Sequence, residues 1–347
     1  MRHPHSEIKR SLTVAALIGV QPGSLLCRAR LGMAAPRDSG RSVPQCGFMR
    51  KRPAIRNGVE YSVAVAALKS LEWTPAAVAH CLARGYARLL DLAIPRLRRV
   101  ADRNLSLAMP ECGADERAKI VDGVFRSVAR LLVTFAKFPA IRRDNLARWI
   151  RCEGGEYFEQ ARREGRGVLF ATAHLGNWEL SAYAHALLAA PMNVVVRPLD
   201  NPRIDALVER RRGGSGNRMI FKKNFARSIL KALGANQAVG ILVDQNSSPE
   251  TGVFVDFFGV KACAGTGFAK LAAHSGASVI PGFALWSEEE RRYVLRFYPP
   301  VEMTGDADRD TQAVQSKLEE VIRQYPDQWL WIHRRWKTRP AGEPELY

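Results

Sequence analysis

Several signatures that assign an enzyme class directly are missing from this chain of 347 residues. The sequence contains no C-x-x-C pair, no H-x-x-x-H or H-E-x-x-H pair, no G-x-S-x-G elbow and no phosphate-binding P-loop. Zinc sites, serine hydrolases and kinases depend on these patterns because each places reacting groups at a fixed spacing. We therefore expect no metal site and no bound cofactor, and the sequence disfavours a serine hydrolase or a kinase.

Cysteine is scarce and unpatterned. The six cysteines are widely separated along the chain, at positions 27, 46, 81, 112, 152 and 263. Disulfide frameworks and structural zinc sites need paired or closely spaced cysteines. We expect reduced thiols in a cytosolic setting.

Acidic residues are few relative to basic ones, and the imbalance is uneven. The chain has 52 Lys and Arg against 34 Asp and Glu, a net charge of +18. Residues 1–56 contain 11 basic and 2 acidic side chains, so half of the excess lies in this first sixth of the chain. A basic surface suits anionic lipid headgroups, an acidic carrier protein or nucleic acid.

Residues 1–52 lack sustained hydrophobic periodicity and are rich in Arg, Pro, Gly and Ser. Ser11 to Val20 is apolar after a basic start, but it is a poor signal peptide because its core is short and no clean cleavage site follows. We expect this leader to be disordered, or to precede the true start of translation at Met49. We divide the remaining chain into N-terminal helices at 53–110, an α/β domain at 111–339 and a tail at 340–347.

Long hydrophobic runs are also missing from the N-terminal helices. An apolar helix is predicted from Val59 to Leu71, and a second from Ala76 to about Ile94. The first has 13 residues, whereas a membrane-spanning helix needs about 20. A helical hairpin lying in the membrane interface fits this pattern, and two ordinary core helices fit it as well.

Regular alternation of helix and strand begins near residue 167, after an amphipathic helix at 114–138. It predicts an α/β fold, with a mixed central sheet flanked by helices. Strands are expected near 168–173, 193–197, 218–221, 238–243, 277–284 and 293–298. Helices are expected near 178–190, 202–212, 224–234, 265–275 and 310–325.

The most informative stretch follows the first of these strands. His174 is on the turn between the apolar run Val168–Ala173 and a helix that Asn177 is predicted to cap, and Glu179 is in the first turn of that helix. A carboxylate beside one imidazole nitrogen fixes the tautomer and leaves the other nitrogen free to take a proton. The pair therefore predicts a general base acting on a hydroxyl nucleophile. The alternative is a histidine at a strand end and a glutamate in a first helical turn, where acids are favoured.

The pattern H-x4-E after a strand resembles the first motif of the glycerolipid acyltransferase superfamily. More narrowly, the chain is similar to the lipid A late-acyltransferase branch, which includes lauroyl and myristoyl transferases and has phosphatidylinositol-mannoside acyltransferases as relatives. The segments that carry the resemblance fall in the family's order between about 100 and 339. They are His174–Glu179, Val196–Pro202, Leu242–Asn246, Gly252–Gly259, Thr266–Ala272, Val279–Pro281 and Trp329–Lys337.

The resemblance implies an O-acyltransferase of the glycerolipid-acyltransferase-like fold. It would move a fatty acyl chain from an acyl-carrier-protein or acyl-CoA thioester to a hydroxyl of a lipid A precursor or a similar membrane glycolipid. His174 would be the general base and Glu179 would hold it. The resemblance also implies a protein at the cytoplasmic face of the bacterial inner membrane, peripheral or weakly anchored, because the usual N-terminal membrane helix is weak here.

One departure from the superfamily narrows the acceptor. Its third motif reads near Pro-Glu-Gly in glycerol-3-phosphate acyltransferases, but here the aligned segment is Asp244-Gln245-Asn246 with a later Phe257-Phe258-Gly259. This argues against glycerol 3-phosphate and for a glycolipid acceptor. Asp244 and Gln245 close a predicted strand at the carboxyl edge of the sheet, so they are candidates for substrate binding, or Asp244 orients a loop.

Further candidate binding residues are weighed against plain structural roles. Arg197 ends a strand, where a planar cation suits a phosphate or a developing oxyanion, or it is a surface arginine. Asn201 is a candidate for substrate binding or a helix cap, and the cap is favoured. Phe257, Phe258 and Gly259 would wall an acyl channel, or the aromatic pair belongs to the core. His185 is expected on a helix surface.

The C-terminal Trp329–Lys337 segment suits either the membrane interface or packing against the sheet. Two other functions stay open on sequence alone. A thioesterase or lipid hydrolase would use the same His and Glu on water. A basic nucleic-acid-binding protein would explain the charge, but no recognised nucleic-acid module is present, so no nucleic-acid partner is expected.

Overall fold

The computed structural model describes residues 53–221 and 225–347. The expectations for the leader, residues 1–52, and for a start at Met49 lie outside the described residues. Within the described part the helices are α1 (Ala54–Trp73), α2 (Ala76–Ala93), α3 (Pro95–Ala108), α4 (Ala114–Lys137), α5 (Gly155–Arg163), α6 (Trp178–Leu188), α7 (Pro202–Gly213), α8 (Phe225–Gly234), α9 (Gly267–Ser275) and α10 (Ala307–Gln324).

The N-terminal region contains three helices rather than the predicted two. Pro95 occupies the first turn of α3, where its fixed φ and missing N–H favour a helix start. Leu97, Val100 and Leu105 give α3 a buried face, a periodicity that the cluster of arginines hid in the sequence. Helices α1, α2 and α3 all contact α4, whose buried side chains form much of the core at this end of the molecule.

Helix α1 is longer than predicted, at 20 residues. It includes two ion pairs, Arg56 with Glu60 and Lys69 with Glu72. Among the helices that the structure describes, none is both long and apolar enough to cross a membrane.

A seven-stranded mixed sheet forms the centre, with the order β1-β9-β8-β2-β5-β3-β4. From β8 to β4 neighbouring strands are parallel, while β9 runs antiparallel to β8 and pairs in parallel with β1. This confirms the predicted fold class. The strands are β1 (Ile150–Glu153), β2 (Val168–Thr172), β3 (Asn193–Val196), β4 (Arg218–Phe221), β5 (Ala238–Leu242), β6 (Gly252–Phe257), β7 (Val260–Gly265), β8 (Ser278–Ser287) and β9 (Arg292–Phe297).

Four elements were not predicted besides α3. Strand β1 is a short edge strand in which Arg151 and Glu153 interrupt the apolar pattern. Helix α5 follows it directly. Strands β6 and β7 form a separate antiparallel hairpin whose two-residue turn, Phe258-Gly259, has positive φ at both positions. A phenylalanine in that conformation is uncommon, so the turn gave no usual sequence signal.

Strands β2, β5 and β3 are adjacent and parallel, so their carboxyl ends meet at one edge of the sheet. The turn after β2 begins with Ala173-His174, β5 leads into Val243-Asp244, and Arg197 follows β3. Neighbouring strands are about 4.8 Å apart, so β2 and β3 lie about 10 Å apart across β5. This edge is where open α/β sheets place their ligands, and it gathers three predicted site residues.

The C-terminal Trp329–Lys337 segment packs inside the protein. Trp329, Trp331 and Trp336 are completely buried, and their rings form an aromatic cluster with Phe257 and Phe258. Of the two alternatives for this segment, the membrane interface is therefore wrong for these tryptophans and packing within the fold is confirmed.

Candidate active site

The turn that carries His174 is built by local sequence. Gly176 adopts a left-handed φ of 62°, and a Cβ there would lie 2.1 Å from the carbonyl oxygen of Ala284, so only glycine fits. Asn177 caps α6 as predicted, because its Oδ1 accepts a hydrogen bond from the N–H of Leu180 at 2.9 Å. The turn is thus fixed on both sides of His174.

Asp244 is the carboxylate that holds His174. Its Oδ1 lies 2.9 Å from Nδ1 of the imidazole, and its Oδ2 accepts from the backbone N–H of His174 at 2.9 Å. A carboxylate at Nδ1 places the ring proton there and leaves Nε2 as the basic nitrogen. Among the residues that the structure describes, Nε2 has no hydrogen-bond partner, and the side chain keeps 8% of its surface exposed.

Asp244 itself is completely buried. Its Oδ2 also accepts a hydrogen bond from the indole Nε1 of Trp329 at 2.9 Å. Burial acts to raise the pKa of Asp244, but the neighbouring His174 and the hydrogen bonds outweigh it, so the pKa lies well below its ordinary value. Asp244 is therefore ionised at neutral pH and available to stabilise an imidazolium on His174.

The predicted partnership between His174 and Glu179 is corrected by this geometry. Both oxygens of Glu179 bind Arg212 at the end of α7, at 2.8 Å from Nε and 2.5 Å from Nη2. Spacing along the chain linked Glu179 to His174, whereas the strand next to β2 brings Asp244 in from a position 70 residues away. Glu179 is buried at the first turn of α6, and its cation Arg212 is partly buried.

Arg197 and Gln245 lie on the same sheet edge and are exposed. Gln245 directly follows the buried Asp244, so the chain that leaves β5 reaches the protein surface at Gln245. Arg197 follows β3 on the far side of β5 from His174. Their positions at the edge agree with the prediction, and their role as binding residues stays a prediction.

The side chain of Asn201 forms its hydrogen bonds within the protein. Its Oδ1 accepts from the N–H groups of Arg203 and Ile204 and so caps α7, as predicted. Its Nδ2 donates to the carbonyl of Asn57 at 3.0 Å and to Glu60 at 3.1 Å. Asn201 therefore joins the start of α7 to α1, and no described polar atom of its side chain is left over for a substrate.

Phe258 and Gly259 form the hairpin turn described above. Phe258 is 4% exposed, and its ring lies 5.6 Å from the ring of Trp331. The guanidinium carbon of Arg323 lies 4.5 Å from the centroid of the same ring. These contacts support the core alternative over an acyl-channel wall for Phe258.

The expectation that His185 lies on a helix surface is wrong. His185 is 3% exposed, and the rings of Phe158 and Phe170 lie against it at 4.7 and 5.1 Å. Burial lowers the pKa of His185 to about 4. Helix α6 is apolar around most of its circumference, so its sequence did not show which face is buried.

Two residues near the site were missed. Trp329, which donates to Asp244, was placed only in a segment left open between the membrane interface and packing against the sheet, and His333 was only quoted within that segment. Nδ1 of His333 lies 2.6 Å from the carbonyl of Leu330, while Nε2 is buried without a partner among the described residues. Burial foremost lowers the pKa of His333, so this second histidine is neutral.

The C-terminal segment also bonds directly to the turn that carries His174. The N–H of Leu330 donates to the carbonyl of His174 at 2.9 Å, and the N–H of Gly176 donates to the carbonyl of Gln328 at 3.0 Å. These two bonds pair the segment with the turn in antiparallel fashion. Spacing along the chain does not predict this contact. Only the order of the family's motifs in the sequence could have indicated it.

The arrangement can move a proton at one imidazole nitrogen. No group of three or more His, Cys, Asp or Glu suited to a metal ion occurs in residues 53–221 and 225–347. The described cysteines are free thiols, at positions 81, 112, 152 and 263. The site thus combines a base, its carboxylate and exposed polar groups at the sheet edge.

Comparison with known proteins places these residues in context. A family model described as bacterial lipid A biosynthesis acyltransferase matches residues 46–338. The chain is similar to the lipid A biosynthesis lauroyltransferase of Escherichia coli K12, with 33% identity over 278 residues, or 79% of this chain and 90% of the relative. It is similar to the palmitoleoyltransferase of the same organism, with 32% identity over 265 residues, 75% of this chain and 86% of the relative. A lipid A biosynthesis acyltransferase of Haemophilus influenzae is 27% identical over 249 residues, 71% of this chain and 77% of the relative.

Proposed function

Because the chain belongs to the bacterial lipid A biosynthesis acyltransferase family, we propose that it transfers a fatty acyl chain from a thioester donor to a hydroxyl of a lipid A precursor. The observation that carries the mechanism is the contact between Asp244 and His174, 2.9 Å from Oδ1 to Nδ1. It leaves a basic nitrogen at the sheet edge and provides a buried negative charge to stabilise the protonated ring.

The acceptor hydroxyl gives its proton to Nε2 of His174 as its oxygen attacks the thioester carbonyl carbon. The tetrahedral adduct then expels the donor sulfur, which takes the proton back from the imidazolium and leaves as a thiol. The products are an ester on the acceptor and a free donor thiol. His174 returns to its neutral state after each turnover.

Supporting roles follow from position. Glu179 belongs to the proposed site through the turn it shares with His174, and its ion pair with Arg212 fixes the first turn of α6. Arg197 and Gln245 are exposed at the same edge, where they can bind charged or polar groups of the donor or acceptor. The donor is an acyl-carrier protein or acyl-CoA, and the basic surface suits either anion.

The N-terminal hairpin of α1 and α2 is the proposed membrane contact. Ile55, Val59 and Val63 are 83%, 60% and 51% exposed, and their spacing of four residues places them on one face of α1. Leu89 and Leu92 on α2 are exposed as well. The bond from Asn201 to the carbonyl of Asn57 ties α1 to the strand exit that carries Arg197.

This geometry supports a peripheral enzyme that rests its hairpin in the interface at the cytoplasmic face of the inner membrane. A lipid acceptor then reaches the sheet edge without leaving the bilayer surface.

The test compares purified wild type with His174→Ala. Each is incubated with a lipid A precursor and one radiolabelled donor, acyl-carrier-protein thioester or acyl-CoA, and products are separated by thin-layer chromatography and weighed by mass spectrometry. A labelled ester that the folded variant cannot form is the expected result, and the donor that supports it is identified. Label released only as free fatty acid, independent of acceptor, would replace the proposal with a hydrolase. Absence of turnover with both donors would overturn it.

A further inference from the structure

A cavity of about 180 Å³ lies between α5, the last turns of α6 and the paired strands β1 and β9. Its walls are mainly apolar and include Phe158 from α5 and Leu295 and Phe297 from β9. Protein interiors are closely packed and contain few voids larger than a water molecule. An apolar cavity of about 150 Å³ is already large enough to bind benzene, so this cavity can admit a ligand of that size.

The walls of the cavity are fixed by contacts within the fold. The ring of Phe158 meets the imidazole of His185 edge to face at 4.7 Å, and Phe170 lies 5.1 Å from both His185 and Phe297. On the other side, Cys152 of β1 is paired in register with Leu295 of β9. The cavity is therefore preformed by two strands and two helices, as ligand sites usually are.

His185 is a buried polar group that faces this cavity without a partner. It lines the cavity and is 3% exposed. Among the residues that the structure describes, neither ring nitrogen forms a hydrogen bond. A buried polar group that is left unpaired costs free energy. A ligand that supplied a hydrogen-bonding atom to His185 would remove this cost.

The imidazole of His185 is neutral at pH 7. Burial lowers its pKa to about 4, against the opposing effect of the Ala190 backbone. A neutral imidazole has one nitrogen that donates through its N–H and one that accepts through its lone pair. A charged ligand would gain no ion pair with this ring and would lose its hydration against apolar walls.

The remaining polar side chains at the cavity favour neither an ion nor an ordered water. The carboxylate of Glu159 already lies 3.4 Å from Arg162. Burial, followed by the charge of Glu156, raises the pKa of the Cys152 thiol, which is therefore uncharged and only a weak donor. A buried water is held by about three hydrogen bonds, more than the imidazole of His185 supplies by itself.

The cavity is separate from the proposed active site. None of the residues that line it belongs to the group around His174 and Asp244. His185 lies about 10 Å along the axis of α6 from the start of that helix at Trp178. Cys152 and Leu188 line the cavity and are exposed, so a ligand can enter from the surface beside them.

We propose that this cavity binds a small neutral molecule, about the size of a benzene ring, that carries one hydroxyl group. The apolar body of the ligand would pack against Phe158, Leu295 and Phe297, and its hydroxyl would bond to His185. A hydroxyl both donates and accepts, so it can pair with whichever ring nitrogen faces the cavity. The site goes beyond acyl transfer and does not depend on it.

The first experiment measures binding through the thiol at the cavity entrance. Phenol is titrated into the full-length protein, and the rate of alkylation by iodoacetamide is followed at each cysteine by peptide mass spectrometry. A bound ligand should shield Cys152, whereas Cys81, an exposed thiol on α2, is the internal control. At a phenol concentration of roughly ten times Kd, we expect alkylation of Cys152 to slow by about 10-fold and that of Cys81 to stay unchanged.

The second experiment tests the hydrogen bond to His185. Toluene has a methyl group where phenol has its hydroxyl, so the ratio of the two Kd values isolates the contribution of the hydroxyl. The preference for phenol over toluene should fall by about 5-fold in His185→Phe, the factor expected for one net hydrogen bond. His274→Phe is the matched control, because His274 is exposed on α9 and does not line the cavity. Its preference should equal that of wild type.

Both experiments need neither acyl donor nor acceptor, so their outcome is independent of the proposed function. Alkylation of Cys152 that is unaffected by phenol, or an equal slowing at Cys81, would overturn the proposal. An unchanged preference for phenol over toluene in His185→Phe would overturn it as well, because His185 would then not be the group that recognises the hydroxyl. Selective shielding of Cys152 together with the reduced preference supports the site even if acyl transfer is never observed.

Discussion

The carboxylate of Asp244 forms hydrogen bonds with His174 at two points, the ring Nδ1 and the backbone N–H, each at 2.9 Å. One side chain therefore fixes both the orientation of the imidazole and the turn that carries it. The bond from Trp329 to the same carboxylate leaves Asp244 little freedom to rotate. The geometry of the site therefore depends on contacts between the turn after β2, the end of β5 and the C-terminal segment, which are distant from one another in the sequence.

Replacing Asp244 by asparagine tests this relationship. In Asp244→Asn the side-chain oxygen can still accept from the backbone, but the new amide N–H₂ faces Nδ1 and forces the proton of His174 onto Nε2, the wrong tautomer. We expect kcat to fall by about 10³- to 10⁴-fold, as for the equivalent change in a Ser-His-Asp triad. Single-turnover acyl transfer measures the loss. Asp256→Asn, an exposed position on β6, is the control, and an active Asp244→Asn enzyme would contradict the assignment.

The sequence predicted the turn that carries His174 but not all of its neighbours. An apolar strand, a helix cap and His174 are local signals, and they predicted the turn correctly. Asp244 was placed at the right sheet edge, yet its contact with His174 depends on β5 pairing with β2, which spacing along the chain does not reveal. The local carboxylate, Glu179, was chosen instead, because nothing in the sequence showed that Arg212 would bind it.

The unpredicted elements have similar physical reasons. Charged Arg151 and Glu153 hid the edge strand β1, and arginines hid the buried face of α3. The tryptophans of the C-terminal segment fit a membrane interface by composition, but Trp329 and Trp331 are buried by long-range packing. Composition indicates which environments suit a side chain, whereas the tertiary fold determines which of these environments surrounds it.

Trp329→Phe tests whether the indole N–H positions Asp244. The substitution keeps an aromatic ring but removes a hydrogen bond to a charged group, so kcat should fall about 10-fold. Trp331→Phe is the matched control, because Trp331 is equally buried but donates to the carbonyl of Pro326. Equal losses of kcat in both variants would count against the role.

The ion pair between the buried Glu179 and the partly buried Arg212 predicts strong energetic coupling. Arg212→Gln leaves the carboxylate of Glu179 buried and unpaired, at a cost of about 3 kcal/mol in the free energy of unfolding. The double variant Glu179→Gln/Arg212→Gln should recover at least about 1 kcal/mol of the sum of the single losses. Urea unfolding measures all three. The surface pair Lys317 and Glu320, 2.8 Å apart, is the control and should couple by less than about 0.5 kcal/mol. Additive losses at Glu179 and Arg212 would refute the coupling.

His185 predicts a loss of stability in mild acid. Burial lowers its pKa to about 4 in the folded state, whereas the unfolded value is about 6.5. Below about pH 6.5 His185 is therefore protonated in the unfolded chain but stays neutral in the folded protein. The free energy of unfolding falls as the pH is lowered from about 6.5 to about 4. The loss amounts to about 3 kcal/mol.

His185→Phe should remove this component, because a phenyl ring suits the surrounding aromatic side chains and does not titrate. The difference in the free energy of unfolding between pH 7 and pH 4 should shrink by about 3 kcal/mol relative to wild type. Phe158→Leu alters the same packing but no titratable group, so it should lower stability equally at both pH values. A His185→Phe curve parallel to that of wild type would show that His185 does not set the acid dependence.

The apolar stripe of α1 predicts membrane binding that depends on single side chains. Ile55 and Val59 are largely exposed on one helical face, and each buries apolar surface only when the helix enters the interface. Val59→Ser should weaken binding to lipid vesicles by about 1 to 1.5 kcal/mol, or roughly 10-fold, and Ile55→Ser by a similar factor. Flotation with vesicles of anionic and of zwitterionic lipids measures the affinity.

Leu188→Ser provides the matched control for the stripe, since Leu188 is exposed at the end of α6, outside the hairpin. It loses comparable apolar surface but should leave vesicle binding unchanged. Because the hydrophobic contribution of Val59 is not screened by salt, its effect should persist at high ionic strength, while attraction by basic residues fades. If Val59→Ser and Leu188→Ser bind vesicles equally well, the exposed face of α1 does not enter the interface, and the proposed role of α1 is contradicted.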